Sequence, residues 1–294
     1  MPELPEVETM ARDLASLRGR SIVSVNINDP SLVSHPSVTD LTQILVGRKV
    51  ERVSRRAKWL QLWLDEGVLL FHPRMTGRPY LADPDAPVEK HARAQIKFDD
   101  HTQLRLYDVR RFARLWLLPV SPEGTLLTEE GRPFFASYGP EPLEDSFTPA
   151  VLASRLKGGR PIKSALLDQA VLSGLGNIYV DEALYRAGLH PLLRTDSLSR
   201  DQVARLHGSI VAVLNEGIAS RGASVSDYQA PAGGASMQKL LRVYRRAGAD
   251  CARCGEKIIR TVVGGRGTHL CPVCQRAPSE ASKESADAAV GVAS

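Results

Sequence analysis

Cysteine is absent from the first 250 residues of this 294-residue chain. All four cysteines fall within 24 residues, from Cys251 to Cys274. A disulfide framework running through the fold is thereby excluded, and clustered thiols in a chain of this kind suit metal ligation better than disulfides. No run of ~18 apolar residues occurs, so no membrane-spanning helix is expected. No basic segment followed by an apolar stretch opens the chain, so no signal peptide is expected and the expected location is cytoplasmic. No internal repeat is visible. Acids are scarce in one stretch: from Lys239 to Arg276 two of them, Asp250 and Glu256, stand against nine Lys or Arg, a balance of +7. A module so biased suits a polyanionic partner.

What is present fits an α+β protein with more than one domain. The length gives room for two cores, the hydrophobic share is 43% and the formal net charge is +5. Residues 21–118 read mostly as short strands: Ser21–Asn28, Lys49–Arg55, Lys58–Leu64, Val68–His72, Gln103–Tyr107 and Arg114–Leu118. In one of them Leu60, Leu62 and Leu64 share a face, with Trp59, Gln61 and Trp63 on the other. Such strands predict an antiparallel β-sandwich rather than alternating β-α units, with Leu41–Val46 as a short helix. Pro and Gly become dense between Pro119 and Pro149, which places an interdomain linker at 138–148 after a first domain of 1–137. Helical periodicity then covers 149–157, 162–171, 176–187 and 199–221, with Ser199 and Gln202 spaced as a capping box. Residues 222–236 read as a Gly-, Ala- and Ser-rich loop, 237–276 as the cysteine module, and 277–294 as a disordered tail.

The sharpest chemical signal is Cys251-x2-Cys254 followed, 16 residues later, by Cys271-x2-Cys274. Two such knuckles close a tetrahedral four-thiolate site, which predicts one structural zinc ion. Ile258, Ile259, Val262 and Val263 between them suit a β-hairpin, and Arg266 stands among Gly264, Gly265 and Gly267 at its tip. A guanidinium there could grip a phosphate, although such an arginine is ordinarily a solvated turn residue.

The second signal is the opening string Met1-Pro2-Glu3-Leu4-Pro5-Glu6. Pro and Glu are common helix-start residues, and Val7, Met10, Ala11, Leu14 and Leu17 follow at helical spacing until Gly19. On spacing alone this is a capped helix. Removal of Met1 would also expose a secondary amine at Pro2 beside Glu3. An α-amino group titrates near ~7.7–8.0, so roughly a tenth or more is unprotonated at neutral pH, far more than for a lysine near ~10.4. Such an amine can attack a sugar carbon and form a cationic iminium. Weaker signals lie between. Gly174-Leu175-Gly176-Asn177 opens a helix whose N-terminus suits phosphate, though Asn is also an ordinary helix-start residue. Arg55-Arg56-Ala57-Lys58 is a basic strand entry, and Glu89-Lys90-His91 lies in a polar loop. Arg110 and Phe112, two apart, point the same way from an extended segment.

The string Met1 to Thr9 resembles the start of the formamidopyrimidine-DNA glycosylase family of bacterial repair enzymes. Gly174–Leu184 and the Arg266–Gln275 segment resemble that family's helix-two-turn-helix and zinc finger. The likeness runs in order from residue 1 to about 276. It implies a β-sandwich with a flanking helix, a helix-two-turn-helix domain and a four-cysteine zinc hairpin. It implies a nucleophile at Pro2, an acid at Glu3, and further catalytic positions at Lys58 and Arg266. Glu6, Ser224 and Tyr228 match lesion-recognition positions; His91, Arg111, Asn177 and Arg266 match DNA-binding ones; Met75, Arg110 and Phe112 match the wedge that fills the gap of an everted base. The implied activity is a glycosylase and AP lyase acting on oxidised purines in double-stranded DNA, by a monomer associated with the nucleoid. Three departures stand out: Arg74 where Gly is usual, Val109 where Pro is usual, and Val180-Asp181 where small residues are common.

Two other readings compete. An endonuclease VIII-like enzyme would prefer oxidised pyrimidines, but that branch usually has Gly where Leu4 stands. A non-catalytic zinc-finger protein that binds damaged DNA would be favoured by a retained Met1.

Overall fold

The computed structural model describes residues 1–223 and 236–277. Ser224, Tyr228 and the tail beyond 277 lie outside the described residues. The chain forms two compact units, Met1–Tyr138 with Asn215–Lys239, and Gly139–Leu214 with the chain from Leu240 onward. Among the described residues no helix is long and apolar enough to cross a membrane.

The first unit begins with α1 (Leu4–Asp13), where the apolar spacing read from the sequence is realised: Val7, Met10 and Leu14 are fully buried. The chain continues through β1 (Ile22–Ile27), β2 (Val33–His35), α2 (Val38–Leu45), β3 (Val50–Arg56), β4 (Trp59–Leu64) and β5 (Val68–His72). It ends with β6 (Arg78–Ala82), β7 (Ala92–Phe98), β8 (Gln103–Tyr107) and β9 (Arg114–Leu118). Two sheets result, a four-stranded one in the order β1-β7-β8-β6 and a five-stranded one in the order β2-β9-β5-β4-β3. Every pair is antiparallel except β2 with β9, which run parallel. One buried cluster joins α1 to both sheets through Leu60, Leu62, Ile96, Phe98, Leu104 and Leu106.

The predicted alternation in β4 has a use on both faces. Its leucines enter that cluster, while Trp59 belongs to a second one with Val68 and Leu118, against which Phe134, Phe135 and Tyr138 pack. The Trp59 ring meets Trp116 edge-on at 4.8 Å and its indole N–H donates to the Tyr138 hydroxyl at 2.9 Å. The buried indole thus keeps its one donor satisfied.

The second unit holds α3 (Pro149–Arg155), α4 (Ile162–Leu167), α5 (Asn177–Ala187) and the start of α6 (Arg200–Ala219). Its β-structure is the hairpin β10 (Ile259–Val263) and β11 (Arg266–Leu270). The Ser199–Gln202 capping box forms: the Ser199 hydroxyl accepts from the Gln202 N–H at 3.2 Å, and the Gln202 amide oxygen from the Ser199 N–H at 2.8 Å. α4 stops short of the expected residue 171 because Asp168 turns extended, its carboxylate accepting from Arg160 at 2.8 Å and from the Ala170 N–H at 3.0 Å.

Candidate nucleic-acid interface and zinc centre

Pro2 is buried immediately ahead of α1 and carries the partly exposed Met1. Glu3 and Glu6 are buried as well. The Glu6 carboxylate accepts from the Glu3 N–H at 2.8 Å and, through its other oxygen, from the Ala223 N–H at 2.8 Å. It therefore ties the start of the chain to the stem of the 224–235 segment. That stem is fixed by three further contacts. Arg221 grips both carboxylate oxygens of Asp13 at 2.7 and 2.8 Å, the Ser236 N–H donates to the Ser220 carbonyl at 2.9 Å, and the Met237 N–H donates to the Gly222 carbonyl at 3.1 Å. Gly222 has φ +78°, and a Cβ on it would stand 2.8 Å from Glu6 Cγ, so only glycine fits there.

Lys58 is buried in the two-residue turn between β3 and β4, after Ala57 at φ +53°. His72 lies nearby at the end of β5. Burial, helped by the charges of Arg74 and Lys58, pushes its pKa down to about 3, so the ring is neutral. Its Nδ1 accepts from the Arg74 N–H at 3.0 Å. Arg74 itself sits at φ +51°. That left-handed backbone is what makes glycine natural at this position, and an L-residue pays roughly 1–2 kcal/mol to occupy it.

The three positions expected to form a wedge are exposed: Met75, Arg110 and Phe112, with the Arg110 guanidinium 4.9 Å from the Phe112 ring centre. They come from two loops, and a residue the sequence reading missed joins those loops. The buried Asp108 carboxylate accepts from the Thr76 hydroxyl, from the Arg110 N–H at 3.2 Å and from the Ala113 N–H at 2.7 Å. An acid inside the basic run Tyr107–Arg111 was the available signal. Arg111, expected to contact DNA, has its guanidinium on Asp29, Nε at 2.6 Å and Nη2 at 2.8 Å, and adopts φ +59°. These bonds hold the Asp29 carboxyl down to about 2. His91 ends a loop that the buried Arg105 organises, donating to the carbonyls of Asp83, Ala86 and Pro87 and to Glu89.

In the second unit the four cysteine sulfurs lie within 4.8 Å of one another. Four thiolates around zinc at ~2.3 Å would stand ~3.8 Å apart; Cys251 to Cys274 is 3.8 Å and Cys254 to Cys271 is 3.5 Å. The donor set fits one tetrahedral zinc ion, with no position left for substrate. Gln275, fully buried, ties the second knuckle down: its amide oxygen accepts from the Cys271 N–H at 3.0 Å and its Nε2 donates to the Leu189 carbonyl at 2.9 Å.

Arg266 opens β11, exposed, just past a Gly264–Gly265 turn in which both residues have positive φ. The next carbonyl, that of Gly267, accepts from Asn177 Nδ2 at 2.9 Å and from Lys163 Nζ at 3.1 Å. Asn177 Oδ1 is buried with no hydrogen-bond partner among the described residues. Asp181, whose acid in a helix start had no account in the sequence, is explained here. Fully buried, it accepts from Lys163 Nζ at 2.6 Å and from the His269 N–H at 2.9 Å. Neighbouring Glu182 accepts three backbone N–H bonds from Arg242, Val243 and Tyr244 at 2.9–3.0 Å. Asp181→Ala is expected to cost about 3–5 kcal/mol by stranding the Lys163 charge. Combining Asp181→Leu with Lys163→Met should recover most of the loss in a denaturant titration.

These features define a class: a two-sheet unit headed by a Pro-Glu helix, joined to a helical unit that bears a basic four-cysteine zinc hairpin. The formamidopyrimidine-DNA glycosylase N-terminal domain matches residues 1–115, that enzyme's H2TH domain 138–229, and the zinc finger found in FPG and IleRS 250–277. The formamidopyrimidine-DNA glycosylase of Brevibacillus brevis is 45% identical over 280 residues, covering 94% of this chain and 99% of the relative. That of Chloroflexus aggregans is 44% identical, covering 94% and 98%. Among solved structures, the complex of Lactococcus lactis Fpg with DNA containing an abasic site is 38% identical, with TM-score 0.85, covering 94% of this chain and 100% of that one. The chain belongs to the formamidopyrimidine-DNA glycosylase family.

Proposed function

We propose that this protein is a bifunctional DNA glycosylase and AP lyase that excises oxidised purines, 8-oxoguanine opposite cytosine and formamidopyrimidines, from double-stranded DNA. The observation that carries the reading is the buried Pro2-Glu3 start of α1, held by Glu6, in a chain of this family. After loss of Met1, the Pro2 nitrogen attacks C1′ of the flipped nucleotide and the base leaves. Glu3 protonates the sugar ring oxygen as the ring opens, giving an iminium on Pro2. Electron withdrawal by that iminium acidifies the adjacent C–H bond, and β- then δ-elimination expel the two flanking phosphates. Lys58, neighbour of the neutral His72, contributes a cation near the sugar phosphate. His91, Asn177 and Arg266 hold backbone phosphates, with Arg111 bracing its loop. Met75, Arg110 and Phe112 occupy the vacated stack. Glu6, with Ser224 and Tyr228 from the undescribed segment, serves lesion recognition.

The relatives named for this activity, and the Lactococcus lactis enzyme solved with N7-benzyl-Fapy-dG DNA, support that substrate class. One chain carries nucleophile, wedge and zinc hairpin, so it acts as a monomer, on the nucleoid of a bacterial cytoplasm. The test is borohydride trapping on an 8-oxoguanine:cytosine duplex, using material whose mass shows Met1 removed. A covalent protein–DNA adduct at Pro2 is expected. Its absence, or faster action on thymine glycol than on 8-oxoguanine, would overturn the assignment.

A further inference from the structure

Arg93 stands at an irregularity in β7. Ala92 pairs with Tyr107 and Ala94 with Leu106, so the register slips by one and Arg93 has no partner on β8. Bulges of this kind re-aim a side chain. On the other side, the Arg93 carbonyl accepts from both the Asn28 N–H at 2.8 Å and the Asp29 N–H at 3.2 Å, which fixes the bulge in place. The re-aimed guanidinium reaches three groups. Its Nε donates to the Asp108 carbonyl at 2.7 Å, and its Nη2 lies 3.2 Å from His91 Nδ1 and donates to the Val109 carbonyl at 3.4 Å. Asp29, which grips Arg111, is 3.9 Å from Nε. The Asp108 N–H in turn donates to the His91 carbonyl at 3.0 Å.

A guanidinium carries only donors. His91 Nδ1 must therefore present a lone pair to it, which leaves the ring proton on Nε2, on the far edge of the imidazole. The ring plane is also set by Tyr107, edge-on at 5.7 Å. A histidine locked this way offers an N–H donor on its far edge.

We propose that Arg93 is a positioning residue that holds His91 as its Nε2–H tautomer and clamps the His91 and Asp108–Val109 backbone into one body, so that the phosphate donor and the wedge loop approach DNA in fixed register. The DNA part of this inference rests on the function proposed above; the tautomer part does not. A lysine cannot replace Arg93, because one ammonium cannot span an imidazole nitrogen and two carbonyls in the fixed geometry of a planar fork.

The first arm of the test is ¹⁵N-detected NMR of the histidine rings in DNA-free protein, with the His91 signals assigned by a His91→Gln variant. The wild type is expected to show the Nε2–H tautomer alone, and Arg93→Met a mixture of both. The Nδ1–H tautomer in the wild type, or no change in Arg93→Met, would overturn the proposal. In the second arm, binding to a duplex with a tetrahydrofuran abasic analogue is measured for Arg93→Met, Arg93→Lys, His91→Ala and Arg93→Met/His91→Ala. Affinity should fall about tenfold in Arg93→Met, the scale of one lost charge-assisted hydrogen bond, with Arg93→Lys recovering less than half of it. The double variant should bind somewhat more weakly than His91→Ala but clearly better than the sum of the two single losses predicts, because the Arg93–His91 interaction is lost only once while the Asp108–Val109 clamp goes as well. Additive losses, or full recovery by Arg93→Lys, would make Arg93 a generic charge and sink the clamp. If the wild type fails to trap DNA while the tautomer arm behaves as expected, the enzymatic reading falls and the Arg93–His91 lock stands.

Discussion

A version of this protein that keeps Met1 is expected to bind damaged duplex yet neither release the base nor cut the strand. The reason lies in one atom. With Met1 attached, the Pro2 nitrogen is a tertiary amide whose lone pair is delocalised into the carbonyl. With Met1 removed it is a free secondary amine whose lone pair, once unprotonated, is available to attack. The surroundings are otherwise the same: Glu3 buried, and Glu6 bridging Glu3 and Ala223. Retention can be forced by inserting a large residue ahead of Pro2 and verified by intact mass. Single-turnover cleavage should fall by ~10⁴ or more, the scale seen when a nucleophile is removed from an otherwise intact site, and borohydride should trap nothing. Binding to an uncleavable abasic analogue should change far less, since the residues proposed for the wedge and for phosphate contact belong to other elements. Blocked protein that cuts at the normal rate would show that another group, such as the buried Lys58, is the nucleophile.

What could be read from the sequence follows a physical line. Local rules were legible. The Cys-x2-Cys spacing is dictated by coordination geometry, and the Leu–Trp alternation of β4 by two apolar faces, each with its own cluster. The capping box at Ser199 is a three-residue rule and it formed. β2, β6 and β7 were missed. β2 spans only Val33–His35, too short for a period, and its parallel pairing with β9 has no local signature. β6 begins Arg78-Pro79, a turn-like start, and β7 puts alanines at two of its inward positions. The supporting polar residues were invisible for a different reason: their partners are remote. Asp108 meets Thr76 across 32 residues, Asp181 meets His269 across 88, and Lys163 meets Gly267 across 104. Of the departures from the family pattern, Arg74 became intelligible only through its positive φ and Asp181 only through Lys163. Val109 leaves its side chain exposed, and nothing in the structure explains why proline is absent there.

Replacing Cys254 by serine should abolish zinc binding and DNA binding together while leaving the first unit folded. Cys254 Sγ stands 3.5 Å from Cys271 and 3.6 Å from Cys274, so its loss opens the tetrahedron on two sides. Structural zinc in small modules contributes about 10–16 kcal/mol of apparent binding energy at neutral pH. That is as large as the whole stability of a typical domain, about 5–15 kcal/mol. The hairpin has little else to hold it, because its buried apolar cluster includes the ligands Cys251 and Cys271 themselves, with Val243, Ile258 and Tyr185. Once β10 and β11 loosen, Arg266 is no longer presented, and the Gly267 carbonyl is withdrawn from Asn177 and Lys163. The consequence should reach α5, since Asp181 also loses the His269 N–H. Hydrogen exchange is therefore expected to lose protection over 250–277 and at the start of α5, but not in β4, β5 or β9. Zinc content should fall to near zero, and affinity for damaged duplex should fall at least ~100-fold, because the whole basic module proposed to hold phosphates is lost rather than a single contact. Asp181→Ala isolates the brace from the metal: it should keep its zinc, lose protection at the His269 N–H, and bind with intermediate affinity. Cys254→Ser protein that bound and cut DNA like the wild type would mean that the knuckles hold their shape without the metal, and the case for a structural zinc in this chain would fall with it.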